Sequence, residues 1–269
     1  MNRSLLAALV LIVATAASAS AQSAEDIAKA LQDPLANVKM IALDNAFNFK
    51  TGDADSVSGY NFQLQPVYAF SFEKFNFIPR AVIPIVGIPG DASFPNLPGQ
   101  RPPSEDVTWG LSDIIIQTFF NLKSEAAWKF GFGPQVSLKT RTDDLLAGAG
   151  WGGGLGVVAV GGFGNVSTVF MVSQHWSFDG DFSLATLQPM IYLNLPGAMT
   201  IHYNNSMTYN AKGSDGNQWT VPLGAGVSKT FLVGGGNALD FAVGFYSMVE
   251  RPKGGPKSQG KFAITWVMP

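Results

Sequence analysis

The thirteen residues from Trp128 to Thr140 restrict the fold more than any other stretch of the chain. Trp128, Phe130, Phe132, Pro134, Val136 and Leu138 share one parity; Lys129, Gly131, Gly133, Gln135, Ser137 and Lys139 share the other. Side chains alternate across an extended strand, so this segment has one apolar face and one that is polar or merely small. A half-buried soluble strand does this over about five or six residues. Alternation held over about twelve residues and repeated along the chain fits the length of a strand that crosses an outer membrane.

The first residues place that pattern behind an export signal. Arg3, an apolar run from Leu5 to Ala17 and the small residues Ala19-Ser20-Ala21 have the charged, hydrophobic and cleavable parts of a secretory signal, with cleavage expected after Ala21. The run is too short for a membrane helix, and no later stretch reaches about eighteen uninterrupted apolar residues. The chain has no Cys, which excludes disulfides and a lipid-anchored cysteine. Charged residues make up 13% of the chain, against roughly a quarter in soluble domains. With a net charge of −2 and no cluster of Lys or Arg, nucleic acid is not an expected partner.

Three regions follow: a signal over 1–21, a helical segment over 22–39 and a barrel over 40–269. Ser23-Ala-Glu-Asp26 is a helix-capping sequence, and Ile27, Ala28, Leu31 and Leu35 recur at helical spacing until Asp33-Pro34 interrupts. The expected fold class is all-β, an antiparallel transmembrane β-barrel of about twelve strands with a short N-terminal helix. The strands run over 40–50, 59–72, 75–88, 108–122, 128–140, 151–162, 166–178, 182–195, 199–210, 218–232, 238–249 and 260–268. With the N-terminus in the periplasm, short turns should alternate with longer outer loops, and they do, apart from a short outer connection at Asp179–Asp181. All six Trp fall near strand ends, as an aromatic girdle requires, although Trp109 shares parity with the inward-facing Asp113. Pro66, Pro79, Pro84, Pro134, Pro189 and Pro222 oppose the assignment, since proline lacks the N–H that a closed barrel uses.

Parity assigns Gln65, Arg80, Asp113, Gln117, Lys129, Gln135, Lys139, Gln188 and His202 to the barrel interior as solute or pore-lining residues. Arg80 and Asp113, on adjacent strands, are candidates to pair. Neither a catalytic site nor a cofactor is expected. His175-Trp-Ser177 has the His-x-Ser spacing of outer-membrane phospholipases, but parity turns both residues away from lipid and no third group orients the histidine. His202 has no second ligand spaced for a metal. Gly152-Gly-Gly154 and Gly234-Gly-Gly236 lack the Lys-Ser/Thr of a phosphate loop and read as turns or curvature.

Several phrases in order along the mature chain are similar to a bacterial outer-membrane family often labelled "transporter" or neuromedin U. They are Leu64-Gln-Pro-Val67, Asn76-Phe-Ile-Pro-Arg80 through Ile83-Pro84, Gly110-Leu-Ser-Asp113, Phe132-Gly-Pro-Gln135 with Thr140-Arg-Thr-Asp143, and Asn217-Gln-Trp-Thr-Val-Pro222. That family resembles barrels encoded with aromatic-degradation pathways. The resemblance implies an outer-membrane channel or transport protein and supplies neither a substrate nor a catalytic residue. The expected function is passage of small hydrophobic or weakly polar solutes through a barrel in contact with outer-membrane lipid. Two rivals are a barrel plugged by the N-terminal helix or the 89–107 loop, and an outer-membrane lipid hydrolase.

Overall fold

A computed structural model describes residues 23–52, 54–90, 106–146 and 148–268. The expected signal and most of the 89–107 loop lie outside them. A short helix, α1 (Ala24–Leu31), precedes twelve strands. These are β1 (Lys39–Thr51), β2 (Val57–Tyr68, resuming at Phe70–Ser71), β3 (Phe75–Pro89), β4 (Val107–Leu111 and Ile114–Leu122), β5 (Lys129–Leu138) and β6 (Gly152–Phe163). They continue as β7 (Val166–Ser177), β8 (Ser183–Leu195), β9 (Met199–Asn204 and Met207–Asn210), β10 (Trp219–Gly234), β11 (Asn237–Glu250) and β12 (Ser258–Met268). Each strand pairs antiparallel with the next, and β1 also pairs with β12, with Lys39 opposite Met268 and Phe49 opposite Ser258. The sheet therefore closes and leaves no edge.

The outer wall is apolar. Phe130, Phe132, Leu155, Val157, Phe170, Val172, Phe245 and Val243 point outward and are exposed. A water-facing sheet does not carry so continuous an apolar surface, whereas a transmembrane barrel requires one. All six Trp are exposed and lie at or beside strand ends. On the α1 side the connections are short: 72–74, 123–128, 164–165, 196–198 and 235–236. At the opposite end 52–56, 90–106, 139–151, 178–182, 211–218 and 251–257 are mostly longer. Three glycines in a row, Gly234 to Gly236, all with positive φ, make the β10–β11 turn.

Two local irregularities reconcile the sequence with closure. In β4, Ser112 and Asp113 interrupt the strand, and the register with β3 changes by one residue across the break: Val82 faces Ile115, but Ile85 faces Leu111. A one-residue shift reverses which face a side chain occupies. Trp109 thus points outward, its ring across Gly87 of β3, while Asp113 points in. Five of the six prolines sit where ladder pairing lapses. Near Pro134, for example, Thr118 and Phe119 have no ladder partner on β5, and the Thr118 hydroxyl donates to the Pro134 carbonyl at 3.1 Å. Pro66, Pro84, Pro189 and Pro222 lie at comparable gaps or bulges, and Pro79 stays in register.

The N-terminal segment enters the barrel mouth. Ser23 caps α1, accepting from the Asp26 N–H at 3.1 Å while the Asp26 carboxylate accepts from the Ser23 N–H. Such a cap is worth about 1 kcal/mol. Ile27 is buried against Ala238 of β11 and Val267 of β12. After the helix, the Asp33 carboxylate accepts from the Leu35 N–H at 2.8 Å, turning the chain so that Leu35 enters the bore. There it is 1% exposed, among Val67, Ile78, Phe119, Val158, Val169 and Met190. Gly131 leaves the space it fills, since a Cβ there would lie 2.5 Å from Leu35 Cδ2.

Candidate functional site

Parity sends one row of every strand inward, but the inward rows do two different things. On β4, β5 and β6 they fill the bore. Gly152 and Gly154 of β6 let neighbouring side chains lie against the wall; a Cβ on Gly152 would meet Ser137 Oγ at 2.8 Å, and one on Gly154 would meet Gln135 Nε2 at 2.8 Å. Into that space fit buried polar groups. Gln117 Nε2 donates to Gln135 Oε1 at 3.2 Å, and Gln135 Nε2 to the Gln174 carbonyl at 3.3 Å. Above them Asp113, 4% exposed, accepts from the N–H groups of Thr140, Arg141, Gly148 and Gly150 at 2.7–3.3 Å, and Arg141 pairs with it at 3.4 Å. This carboxylate ties the β5–β6 loop into the barrel.

The remaining strands leave room. A cavity of about 480 Å³ is lined by β1, β2, β3 and β7 through β12, together with Leu31, Gln32 and Pro34, and by no residue of β4, β5 or β6. Along β1 its wall runs over nine residues from Met40 to Asn48, about 27 Å of strand at ~3.4 Å per residue and within the roughly 9–11 residues that a tilted strand needs to cross a bilayer. At its α1 end Gln32, 6% exposed, donates to Asn194 at 2.7 Å and to Thr200 at 3.4 Å. At the other end it reaches Asn48, Gln259 and Pro256. Asn48, Asn61, Gln63, Gln65, Gln188, Asn204, Asn205 and Gln259 make amides the largest polar group in its wall, alongside apolar residues such as Met40, Val82, Leu184, Met190 and Met248. Its charged lining residues are Asp44, Arg80 and Lys261. Lys261 Nζ lies 3.7 Å from Asp44, and Arg80 donates to Gln117.

Of the nine residues assigned to the interior from sequence, Gln65, Arg80 and Gln188 line this cavity. Asp113, Gln117 and Gln135 belong to the filled side, and Arg80 contacts Gln117 rather than Asp113. Lys129, at the start of β5, pairs with Asp33 of the N-terminal segment at 2.8 Å. Lys139 is exposed, one residue past the end of β5. His202 is buried beside Tyr192, its ring over Gly226, and is not among the residues lining the cavity. Sequence reasoning missed Asp44, Asn61 and Lys261, although the parity of Leu43 and of Phe262 with Trp266 already turns Asp44 and Lys261 inward.

The His175–Ser177 spacing does not make a hydrolytic pair. His175 Nε2 lies 2.8 Å from Ser137 Oγ, while Ser177 Oγ accepts from the Phe182 N–H. Ser137 is 0% exposed, and His175 Nδ1 has no partner to orient it. No group of three or more metal-ligating side chains occurs among the described residues.

The geometry defines a transmembrane β-barrel with a lengthwise internal cavity. No protein-family model matches the chain, and no curated protein matches it in sequence. Among solved structures it is similar to an outer membrane channel from Pseudomonas putida F1, with 16% identity, 86% of this chain and 96% of that one covered, and a TM-score of 0.62. It is also similar to the porin NanC, with 8% identity, 85% and 99% coverage and a TM-score of 0.52. At these identities the likeness is one of fold.

Proposed function

We propose that the chain is an outer-membrane channel that passes small solutes down a concentration gradient, its α1 end facing the periplasm. The observation that carries this reading is the cavity reaching from the N-terminal segment to the opposite loops along a bilayer-length wall. The mixed lining suits the weakly polar part of the range expected from sequence, because its amides hydrogen-bond a polar group while its apolar residues contact hydrocarbon. Export by the signal over 1–21 and membership of the transporter family resembled in sequence belong to the same proposal. Purified protein in planar bilayers should give discrete conductance steps and make liposomes permeable to small sugars or amides. Absence of both would overturn it.

A second reading is supported by Leu35: the barrel rests partly closed by its own N-terminal segment, held by the Leu35 wedge, the Gln32 bridges and the Asp33–Lys129 pair. Removal of residues 23–35 from the mature chain should then raise unit conductance severalfold. An unchanged conductance would show that the segment does not narrow the path.

A further inference from the structure

We propose that the cavity selects small organic anions, carboxylates first, through a surplus positive charge at mid-height. The inference rests on the channel reading above. Asp44 stands near the middle of β1, and Lys261 of β12, 3.7 Å from it, neutralises its charge. Arg80 reaches the same cavity from β3 and lies within electrostatic reach of Asp44, but it makes no ion pair with a described residue; its contact is the neutral Gln117. A fourth charge, Asp240 of β11, also faces inward, but it accepts from Thr230 and stands opposite Thr265, level with Ala42 rather than Asp44. The three charges at mid-height therefore sum to one cation without a partner there, in a bore with low-dielectric walls, where a fixed charge concentrates mobile ions of opposite sign. The charge is also held in place. Gln117 is fixed in turn by Gln135, and Gln135 by the Gln174 carbonyl, so the guanidinium is braced from the filled side of the barrel.

The other parts of the wall suit a carboxylate rather than a bare halide. Gln63, Gln65, Gln188 and Asn204 place amide groups around the cations. An oxyanion can accept from an N–H of such an amide while facing Arg80, and the two oxygens of a carboxylate match two donors of a guanidinium. Lys261 also lies 3.4 Å from the Asn204 carbonyl, a second contact that keeps its ammonium at the wall instead of across the bore.

The test is the reversal potential of the full mature protein in a planar bilayer across a KCl gradient, repeated with potassium acetate. Wild-type protein should be anion-selective in both salts. R80Q should lower the anion-to-cation permeability ratio, and D44N should raise it, each by about twofold to sixfold, the effect of one unit charge roughly 4–8 Å from a permeant ion in water. K261Q should act in the same direction as R80Q, which keeps the test intact if R80Q does not fold. Cation selectivity in the wild type, or permeability ratios that D44N and K261Q leave unchanged, would overturn the inference while leaving the channel reading standing. Anion selectivity in chloride alone would overturn the carboxylate assignment. Absence of any conductance would overturn the channel reading and this inference with it.

Discussion

The wall made of β4, β5 and β6 and the wall made of β1, β2 and β8 to β12 have the same alternation and the same lipid-facing row, yet one side of the bore is filled and the other hollow. The difference lies in the inward row. On β5 and β6 it is rich in glycine, and long amides and a buried carboxylate from neighbouring elements occupy the space the missing side chains leave. On β1 the inward row is Met40, Ala42, Asp44, Ala46 and Asn48, and the 251–257 loop above it reaches the cavity through Pro256 without filling it. A barrel of this size can therefore stiffen one arc by packing and keep the other for solute.

The comparison is most exposed to failure at Asp113. D113A removes the acceptor of four backbone N–H groups and leaves the half-buried Arg141 with the exposed Asp144, 3.9 Å away, which should destabilise the barrel by about 3–5 kcal/mol. It should also free the 139–151 loop to proteases. Urea unfolding in detergent and limited proteolysis measure the two effects, and a loss below about 1 kcal/mol would mean that this side is not held by its buried charge. G154A comes next: a methyl there meets Gln135 Nε2 and the backbone of β7, an overpacking worth about 1–3 kcal/mol with conductance nearly unchanged. Q188A, on the hollow side, should do the reverse. It gives up a 3.1 Å bond to Asn204, costs about 1 kcal/mol or less and raises unit conductance. If G154A changed conductance more than Q188A did, the division of the bore would be wrong.

The smallest expected effect is at the rim beyond the hollow side. Asp55 is paired with Lys257 at 2.7 Å and Arg251 at 3.0 Å, and the hydrogen bond from Lys257, followed by the charge of Arg251, holds its carboxyl below the usual 3.8. A depressed carboxylate stabilises the folded form above the ordinary pKa, and that contribution is lost as pH falls through the lowered value. The 52–56 and 251–257 loops should therefore loosen only at pH below 3.8, as followed by hydrogen exchange, and D55N should abolish this pH dependence.

Much of this was legible in the chain. Strand number, the alternation of connection lengths and the outward row follow from parity and turn residues, which are local. The outward position of Trp109 was not legible, because it depends on a one-residue register change at Ser112–Asp113 that no alternation rule announces. Nor could parity sort Gln65 and Gln188, at the cavity, from Gln117 and Gln135, in the filled side. All four point inward, and what separates them is how much neighbouring strands and the 139–151 loop project into the bore. Leu35 was visible as an apolar residue at helical spacing, but its true place is beyond the helix, turned into the barrel by Asp33.

The seating of the N-terminal segment also bears on the order in which the molecule is completed. Ile27 needs Ala238 and Val267, which belong to the last two strands to be synthesised, whereas Leu35 needs a wall built from β2 to β8. A chain whose β12 has not yet joined β1 offers the first seat on an unclosed sheet and cannot hold both together. The earliest part of the described chain is thus among the last to find its place, and its protection from proteases counts finished barrels.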